Sequence, residues 1–150
     1  MNGKLLVAID LSENSLKAVD YVGYMMSCHK EVLVTLLHVI REPSPDTMPD
    51  EKDRKRFIEK TRSEVLALME EAGRRLGGFG IPEKCVVLKV HTCGKPVSVA
   101  DLILHEQRTC GHGTVVVGRR GVSKREEFLF GSVSNSVMRE AKDCAVWVVE

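Results

Sequence analysis

The residues best suited to chemistry lie in the stretch GRRGVSKREEFLFGSVS, which spans positions 118–134. It follows an apolar run that predicts a strand, and it leads into a pattern that predicts a helix beginning at Ser132. Its three glycines leave the backbone open to a ligand, because glycine has no side chain and tolerates positive φ. The first amides of a helix lack intrahelical acceptors and lie at the positive end of the helix dipole. The stretch therefore predicts a phosphate site, to which the hydroxyls of Ser132 and Ser134 add donors.

Two better-known phosphate motifs do not fit this chain. The pattern GxxxxGK[ST] of the P-loop occurs nowhere in the sequence. Gly111-His-Gly113 begins like the dinucleotide fingerprint GxGxxG, but Val116 occupies the place of the last glycine, and the segment precedes a strand instead of following one. Glycines also end strands and begin helices in proteins that bind nothing there, so a purely structural reading of the pattern stays open.

Alternating strand and helix patterns run through the rest of the chain. Buried strands are predicted at residues 4–9, 31–39, 85–90, 114–117 and 145–149. The predicted helices are one with Ser12 as N-cap, one from Ile58 to about Gly78, one opened by Gly94-Lys-Pro96, and one from Ser132 to Lys142. Residues 41–56 combine three prolines with many charges, which predicts an exposed connection.

This order predicts an α/β fold made of one doubly wound, Rossmann-like sheet. Five parallel strands in the order 3-2-1-4-5 carry helices on both faces, and one domain covers residues 1–150. Ligands of such sheets bind beyond the carboxyl ends of the strands, where the strand order reverses. Asp10 follows the first strand and Gly118 ends the fourth, so we expect both to lie in one crevice. An alternative for Asp10 is a capping or solvated carboxylate, and we expect His38 to be a packed or capping histidine.

Composition narrows the classes of partner. Charged residues make up 29% of the 150 and nearly balance to a net charge of +1, which argues against binding to nucleic acid or to a membrane surface. No apolar run approaches the length of a membrane span. Five scattered cysteines without a CxxC pair predict a reduced, cytoplasmic protein. His91, Cys93, Cys110 and His112 do not follow a known zinc spacing, so we predict no protein metal site.

These residues together resemble the universal stress protein family, in its ATP-binding branch. The similarity includes VAIDLSEN at residues 7–14, LLHV at 36–39 and the G-x-P of residues 94–96. Its most specific part is G-x2-G-x9-G-S from Gly118 to Ser132, followed by the apolar last strand. The resemblance covers essentially the whole chain and is least informative over residues 41–56. The chain departs from the family pattern at Arg119-Arg120, where many members carry Ser-His.

The resemblance implies a nucleotide site and the parts of the nucleotide that it contacts. Asp10 is placed near adenine or ribose, and the backbone of Val39 against the adenine edge. Val117 and Gly118 line the sugar and phosphates, while the glycine-serine segment holds the triphosphate. The full set expected to contact ATP, which would carry Mg2+ on its phosphates, is Asp10, Leu11, Ser12, Val39, Val117, Gly118, Arg119, Gly121, Gly131, Ser132, Val133 and Ser134.

The resulting functional prediction is an ATP-binding, stress-response regulatory protein that acts on an unidentified protein partner. One alternative is a slow ATP hydrolase, which would need a positioned base that the sequence does not show, so we predict at most weak hydrolysis and no catalytic residue. A second alternative is an interaction module of the same fold without a nucleotide. The apolar last strand, residues 145–149, is predicted to join two copies in a homodimer, as the resemblance also implies. Trp147 is then either an interface anchor or packed within its own chain.

Overall fold

The computed structural model describes residues 3–29, 31–119 and 131–150 of the chain. Strands and helices alternate along these residues, with one short 3-10 turn before the third strand. The elements are β1 (Lys4–Ala8), α1 (Glu13–Met26), β2 (Leu33–Arg41), α2 (Glu51–Gly78), β3 (Val86–Cys93), α3 (Val99–Cys110), β4 (Thr114–Gly118), α4 (Ser132–Glu140) and β5 (Ala145–Val149).

The five strands form one parallel sheet in the order β3-β2-β1-β4-β5, which confirms the predicted fold. The central strand β1 pairs with β2 on one side and with β4 on the other. The chain therefore winds outward in one direction through β2 and β3, and in the other through β4 and β5. The strand order reverses between β1 and β4, as the sequence predicts.

Both faces of the sheet are covered by apolar side chains, which explains why the central strands are apolar almost throughout. Helices α1 and α2 pack on one face, around a core that includes Val7, Val34 and Met69. Helices α3 and α4 pack on the other face, around Leu6, Leu37 and Ile103. Alternate residues of one strand thus serve opposite cores.

The helix α2 begins earlier than predicted, so the proposed exposed connection over residues 41–56 is wrong for its last six residues. Asp50 caps the helix by accepting hydrogen bonds from the amides of Lys52 and Asp53. Residues 51–56 are largely exposed, and an ion pair of 2.9 Å joins Lys55 to Glu51 one turn away. The prediction missed this turn because apolar periodicity marks only the part of a helix that touches the core.

Two other helix boundaries were predicted wrongly. Helix α3 begins at Val99 after a Ser98 cap, and Gly94-Lys-Pro96 forms a turn before it instead of its first residues. A reciprocal capping box between Ser98 and Asp101 fixes this start. Helix α4 ends at Glu140, two residues before the predicted Lys142. The strand β1 ends one residue early, whereas β2 and β3 run two and three residues past their predicted ends.

The length of α2 raises the question of a membrane span. Although α2 has 28 residues, charged side chains occur in every turn of its first half. Across the described ranges, no helix combines the length and the apolar character needed to cross a bilayer.

Candidate functional site

The carboxyl edge of the sheet contains a notch, because the central strand is the first to stop. The last β1–β2 pair joins Ala8 to Leu37, whereas β2 continues to Arg41. On the other side, β4 continues to Gly118, where it pairs with β5. The notch therefore lies at the reversal of strand order, the position at which open parallel sheets bind their ligands.

Asp10 lies at the floor of this notch, just past β1, and α1 holds its side chain in place. Its Oδ1 accepts hydrogen bonds from the Ser12 amide (2.9 Å), the Ser12 hydroxyl and the Ser15 hydroxyl (2.6 Å). Three donors on one oxygen fix the orientation of the carboxylate. Ser12 occupies the predicted N-cap position of α1, but its hydroxyl bonds to Asp10 and forms no side-chain cap.

Ser15 was not among the predicted site residues, yet it supports Asp10 together with Ser12. Its hydroxyl accepts from the Asp10 amide (2.7 Å) while donating to the Asp10 carboxylate. Only 3% of Ser15 is exposed, and it lies on the same buried helix face as Ala18, Val19 and Val22. A polar residue at the start of an otherwise apolar face was the signal that could have identified it.

His38 is packed, as predicted, and supports the floor of the notch from β2. It is 8% exposed, and its Nδ1 lies 2.6 Å from the carbonyl oxygen of Ile9, to which it donates. Burial lowers the pKa of His38, whereas the bond to Ile9 and the charge of Asp10 act in the opposite direction. A neutral His38 can therefore keep this bond, since only one ring nitrogen needs a proton.

Val39 lies on β2 beyond the end of β1. The carbonyl of Leu37 accepts from the Ile9 amide, so it points toward the β1 side of the strand. Backbone groups two residues apart point to the same side of a strand. The N–H and C=O of Val39 are therefore directed into the notch. Its side chain is buried in the core beneath α3 and α4.

The opposite wall of the notch is the end of β4 together with the start of α4. Gly131 precedes the helix, and its amide donates to the Arg119 carbonyl at 2.8 Å. The buried hydroxyl of Ser134 lies 3.0 Å from the carbonyl oxygens of both Arg119 and Gly131, so it fastens the helix to the strand. The structure thus places the start of α4 at the same edge of the sheet as Asp10.

The N-terminus of α4 has the character of an anion site. Gly131 is its N-cap and provides no side-chain hydrogen bond. The amides of Ser132, Val133 and Ser134 belong to the first turn, where a helix offers them no acceptor. The side chain of Ser132 is exposed. Donors without an intrahelical acceptor and the helix dipole together favour a negatively charged ligand here.

Arg119 follows β4 and contacts the end of β5 and the residue after it. Its amide donates to the Val149 carbonyl at 2.7 Å, and its guanidinium forms an ion pair with the Glu150 side chain. The neighbouring predicted residues Val117 and Gly118 belong to β4, with Val117 buried. Leu11 follows Asp10 and is 49% exposed at the mouth of the notch. The predicted Gly121 and the unusual Arg120 lie outside the described residues.

Of the four residues considered for a metal site, His91 and Cys110 share the Glu106 carboxylate as a partner, whereas His112 has a different one. His91 lies 3.3 Å from a Glu106 oxygen, and the Cys110 thiol donates to the other oxygen of that carboxylate. His112 is buried and lies 2.9 Å from the Thr35 hydroxyl. Across the parts of the chain that the structure describes, no group of three or more histidine, cysteine or acidic residues is arranged to hold a metal ion.

The fold and the notch define an α/β protein with a candidate anion site where the order of a parallel sheet reverses. The model of the universal stress protein family matches residues 1–150, and the chain belongs to this family. It is 30% identical over 161 residues to universal stress protein YxiE of Bacillus subtilis (strain 168), and the alignment covers 99% of each chain.

Solved structures share the same fold. The structure of hypothetical protein MJ0577 is 26% identical, covers 99% of this chain and 96% of its own, and superposes with a TM-score of 0.79. A universal stress protein in complex with cAMP is 21% identical, covers 98% of this chain and 95% of its own, and gives a TM-score of 0.68. At that level of identity the second likeness shows the fold alone.

Proposed function

We propose that this chain binds ATP in the notch and acts as a nucleotide-dependent regulatory protein. The observation that supports the proposal is the pairing of two features across the notch. One wall offers the first-turn amides of α4 without a side-chain cap at Gly131. The floor offers the fixed carboxylate of Asp10. A nucleotide carries groups that match both, because its phosphates are anions and its sugar and base carry hydrogen-bond donors.

The proposed pose follows from the positions of these groups. Phosphates lie at the amides of Ser132, Val133 and Ser134, with Gly118 allowing a close approach. The base lies against the backbone of Val39, and Asp10 accepts a hydrogen bond from the sugar or base. Mg2+ would bind phosphate oxygens and water, an arrangement that needs few protein ligands. A universal stress protein in complex with cAMP shares this fold, so the fold itself is compatible with a nucleotide ligand.

Titration calorimetry with ATP, ADP and AMP, each with and without Mg2+, tests the proposal. We expect ATP to bind and AMP to bind more weakly, because AMP lacks the β- and γ-phosphates and so offers the α4 amides fewer anionic groups. Nucleotide released by denaturing the freshly purified protein would support the same reading. No heat and no thermal stabilisation with any of the three would overturn it.

The proposal treats the site as a binding site and not as a site of turnover. Hydrolysis needs a group that orients or deprotonates water. Among the described residues, no histidine or carboxylate forms a hydrogen bond with the Ser132 or Ser134 hydroxyl. Phosphate release that persists in a Gly131→Asp variant would come from a contaminant or from another site.

We further propose that two copies pair through β5. This strand is an edge of the sheet, and all five of its residues are partly exposed. Trp147 packs edge-on against Tyr21 of its own chain, with ring centroids 5.9 Å apart. This contact would fix the orientation of the Trp147 ring before a dimer interface forms. Light scattering at micromolar concentration should give twice the mass of one chain. A monomer under those conditions would remove this part of the proposal.

A further inference from the structure

A single buried hydroxyl holds both the backbone and the side chain of the aspartate in the notch. The Ser15 hydroxyl accepts from the Asp10 amide at 2.7 Å and donates to the Asp10 Oδ1 at 2.6 Å. Each hydroxyl has one proton to donate and lone pairs to accept, so both bonds form at once. Among small side chains, serine and threonine carry a hydroxyl that offers this combination.

Packing alone does not account for a serine at this position. Ser15 is 3% exposed and heads a helix face whose other buried members are Ala18, Val19, Val22 and Gly23. Alanine would fit that face and would avoid burying a hydroxyl, which costs free energy unless the hydroxyl is hydrogen-bonded. Both partners of the hydroxyl belong to Asp10. A polar residue that breaks a local pattern in this way indicates a functional constraint.

The backbone before Asp10 is held by groups other than Ser15. Ser15 therefore affects Asp10 itself and not the rest of the floor of the notch. His38 holds the Ile9 carbonyl, and the Ile9 amide donates to the Leu37 carbonyl at 2.8 Å. These bonds fix the backbone up to Ile9. The orientation of the Asp10 side chain is set by Ser12 and Ser15. Ser12 is partly exposed next to its aspartate, whereas Ser15 is inside the protein.

We propose that Ser15 is a positioning residue for nucleotide binding, acting through Asp10. This inference rests on the proposed function of the notch. The Ser15 hydroxyl presents the Asp10 carboxylate in the orientation that accepts a hydrogen bond from the sugar or base. Without the Ser15 hydroxyl, the carboxylate keeps the Ser12 donors but is held less firmly, and part of the binding free energy is spent on ordering it.

The test compares ATP affinity by titration calorimetry among Ser15→Ala, Ser15→Thr, Asp10→Asn and the Ser15→Ala/Asp10→Asn double variant. Ser63→Ala serves as the matched control, because Ser63 lies on the exposed side of α2 and its hydroxyl bonds only within that helix. We expect Ser15→Ala to raise the Kd about tenfold, the scale of one hydrogen bond to a charged group. Threonine keeps the hydroxyl and should recover most of the affinity, whereas Ser63→Ala should bind like the unsubstituted chain.

The double variant separates positioning from a general loss of structure. If Ser15 acts through the charged carboxylate of Asp10, Ser15→Ala should cost little further affinity once Asp10 is asparagine. An equal loss in both backgrounds would overturn the inference, and so would unchanged affinity in Ser15→Ala. Absence of ATP binding by the unsubstituted chain would instead overturn the proposed function, and the inference would fall with it.

Discussion

Two polar regions of this protein differ in whether their groups are satisfied from within the chain. One is the notch between β1 and β4, and the other is a charged cluster between β3 and α3. In the cluster, the Glu106 carboxylate is 8% exposed and accepts from Lys89 (2.5 Å), Cys110 (3.0 Å) and His91 (3.3 Å). In the notch, the first turn of α4 begins without a side-chain cap.

The difference teaches how a polar group can be assigned to stability or to binding. A buried charge whose partners all lie in the same chain holds two elements together and needs no ligand. Donors that the fold orients but does not satisfy gain most from a molecule that enters from solvent. We therefore assign the Glu106 cluster to stability and the notch to binding. Substitutions in the two regions can test whether one serves stability and the other serves binding, and the largest effect is expected at Gly131.

The change Gly131→Asp should abolish nucleotide binding while leaving the fold intact. Gly131 has φ −66° and ψ 158°, a conformation open to any residue, and aspartate is a favoured N-cap. Its carboxylate would accept hydrogen bonds from the first-turn amides of α4, which are proposed to bind phosphate, and would repel the anionic nucleotide. We expect ATP affinity to fall by about a hundredfold or more, the scale of two charge-assisted hydrogen bonds. The melting temperature should stay the same or rise slightly, and calorimetry together with thermal unfolding measures both.

Gly131→Asn provides the neutral control for this change, since it caps the helix without adding charge. It should weaken ATP binding less than Gly131→Asp does. Unchanged affinity in Gly131→Asp would contradict the assignment of the α4 N-terminus to phosphate.

Acid should weaken the fold through Glu106. Burial alone would raise the pKa of this carboxyl, but hydrogen bonds from Lys89, Cys110 and His91 outweigh burial and lower the pKa from 4.5 to about 2. A depressed pKa in the folded state stabilises the protein above the unfolded value, and this contribution is lost as the pH falls from about 4.5 to 2. The loss is of the order of 3 kcal/mol. Urea unfolding at a series of pH values measures it.

The same measurement on Glu106→Gln provides the control. This variant lacks the titrating group, so the acid-dependent loss in that range should shrink. An equally steep loss in the variant would show that other carboxyls are responsible.

At neutral pH, Glu106→Gln should destabilise the protein by about 2 kcal/mol, because glutamine cannot give Lys89 a charged acceptor. ATP affinity should not change, since the cluster belongs to β3 and α3 and not to the notch. Chemical denaturation and calorimetry on one preparation test the two halves of the prediction. Glu70→Gln, at an exposed residue of α2, should alter neither quantity.

The smallest predicted effect concerns the end of α3 beside the cluster. Gly111 has φ 66° and ψ 43°, the left-handed conformation that side chains disfavour. Gly111→Ala should therefore cost about 1 kcal/mol of stability. Gly73→Ala is the matched change inside α2, where an added Cβ meets no atom within 4 Å, and it should stabilise the helix by up to about 1 kcal/mol. Equal effects in both variants would show that backbone conformation does not matter at Gly111.

The fold could be predicted from sequence because its signals are local and repeated. Apolar runs marked all five strands, and the alternation with helices determined a parallel sheet. The start of α2 was missed because residues 51–56 carry no apolar stripe, and their helix is set by the Asp50 cap. The start of α3 was misplaced because Pro96 is compatible both with a first turn and with the turn before it.

The site could be predicted only in part, for a different physical reason. Glycine spacing and the residue after β1 are visible in sequence, and both Asp10 and the start of α4 lie at the predicted edge. The role of Ser15 depends on two atoms of Asp10 meeting one hydroxyl across a helical turn. The ion pair between Arg119 and Glu150 joins residues that directly follow the carboxyl ends of the paired strands β4 and β5. Contacts of these kinds leave no periodic pattern.

The early stop of β1 has a consequence for how this architecture can vary. The recess at the sheet edge owes its depth to a count of residues, with β1 halting at Ala8 while β2 runs on to Arg41. Substituting side chains around the recess can change its ligand preference, but the recess itself remains. Lengthening the middle strand by two residues would fill it with main chain and erase it, whichever amino acids were used.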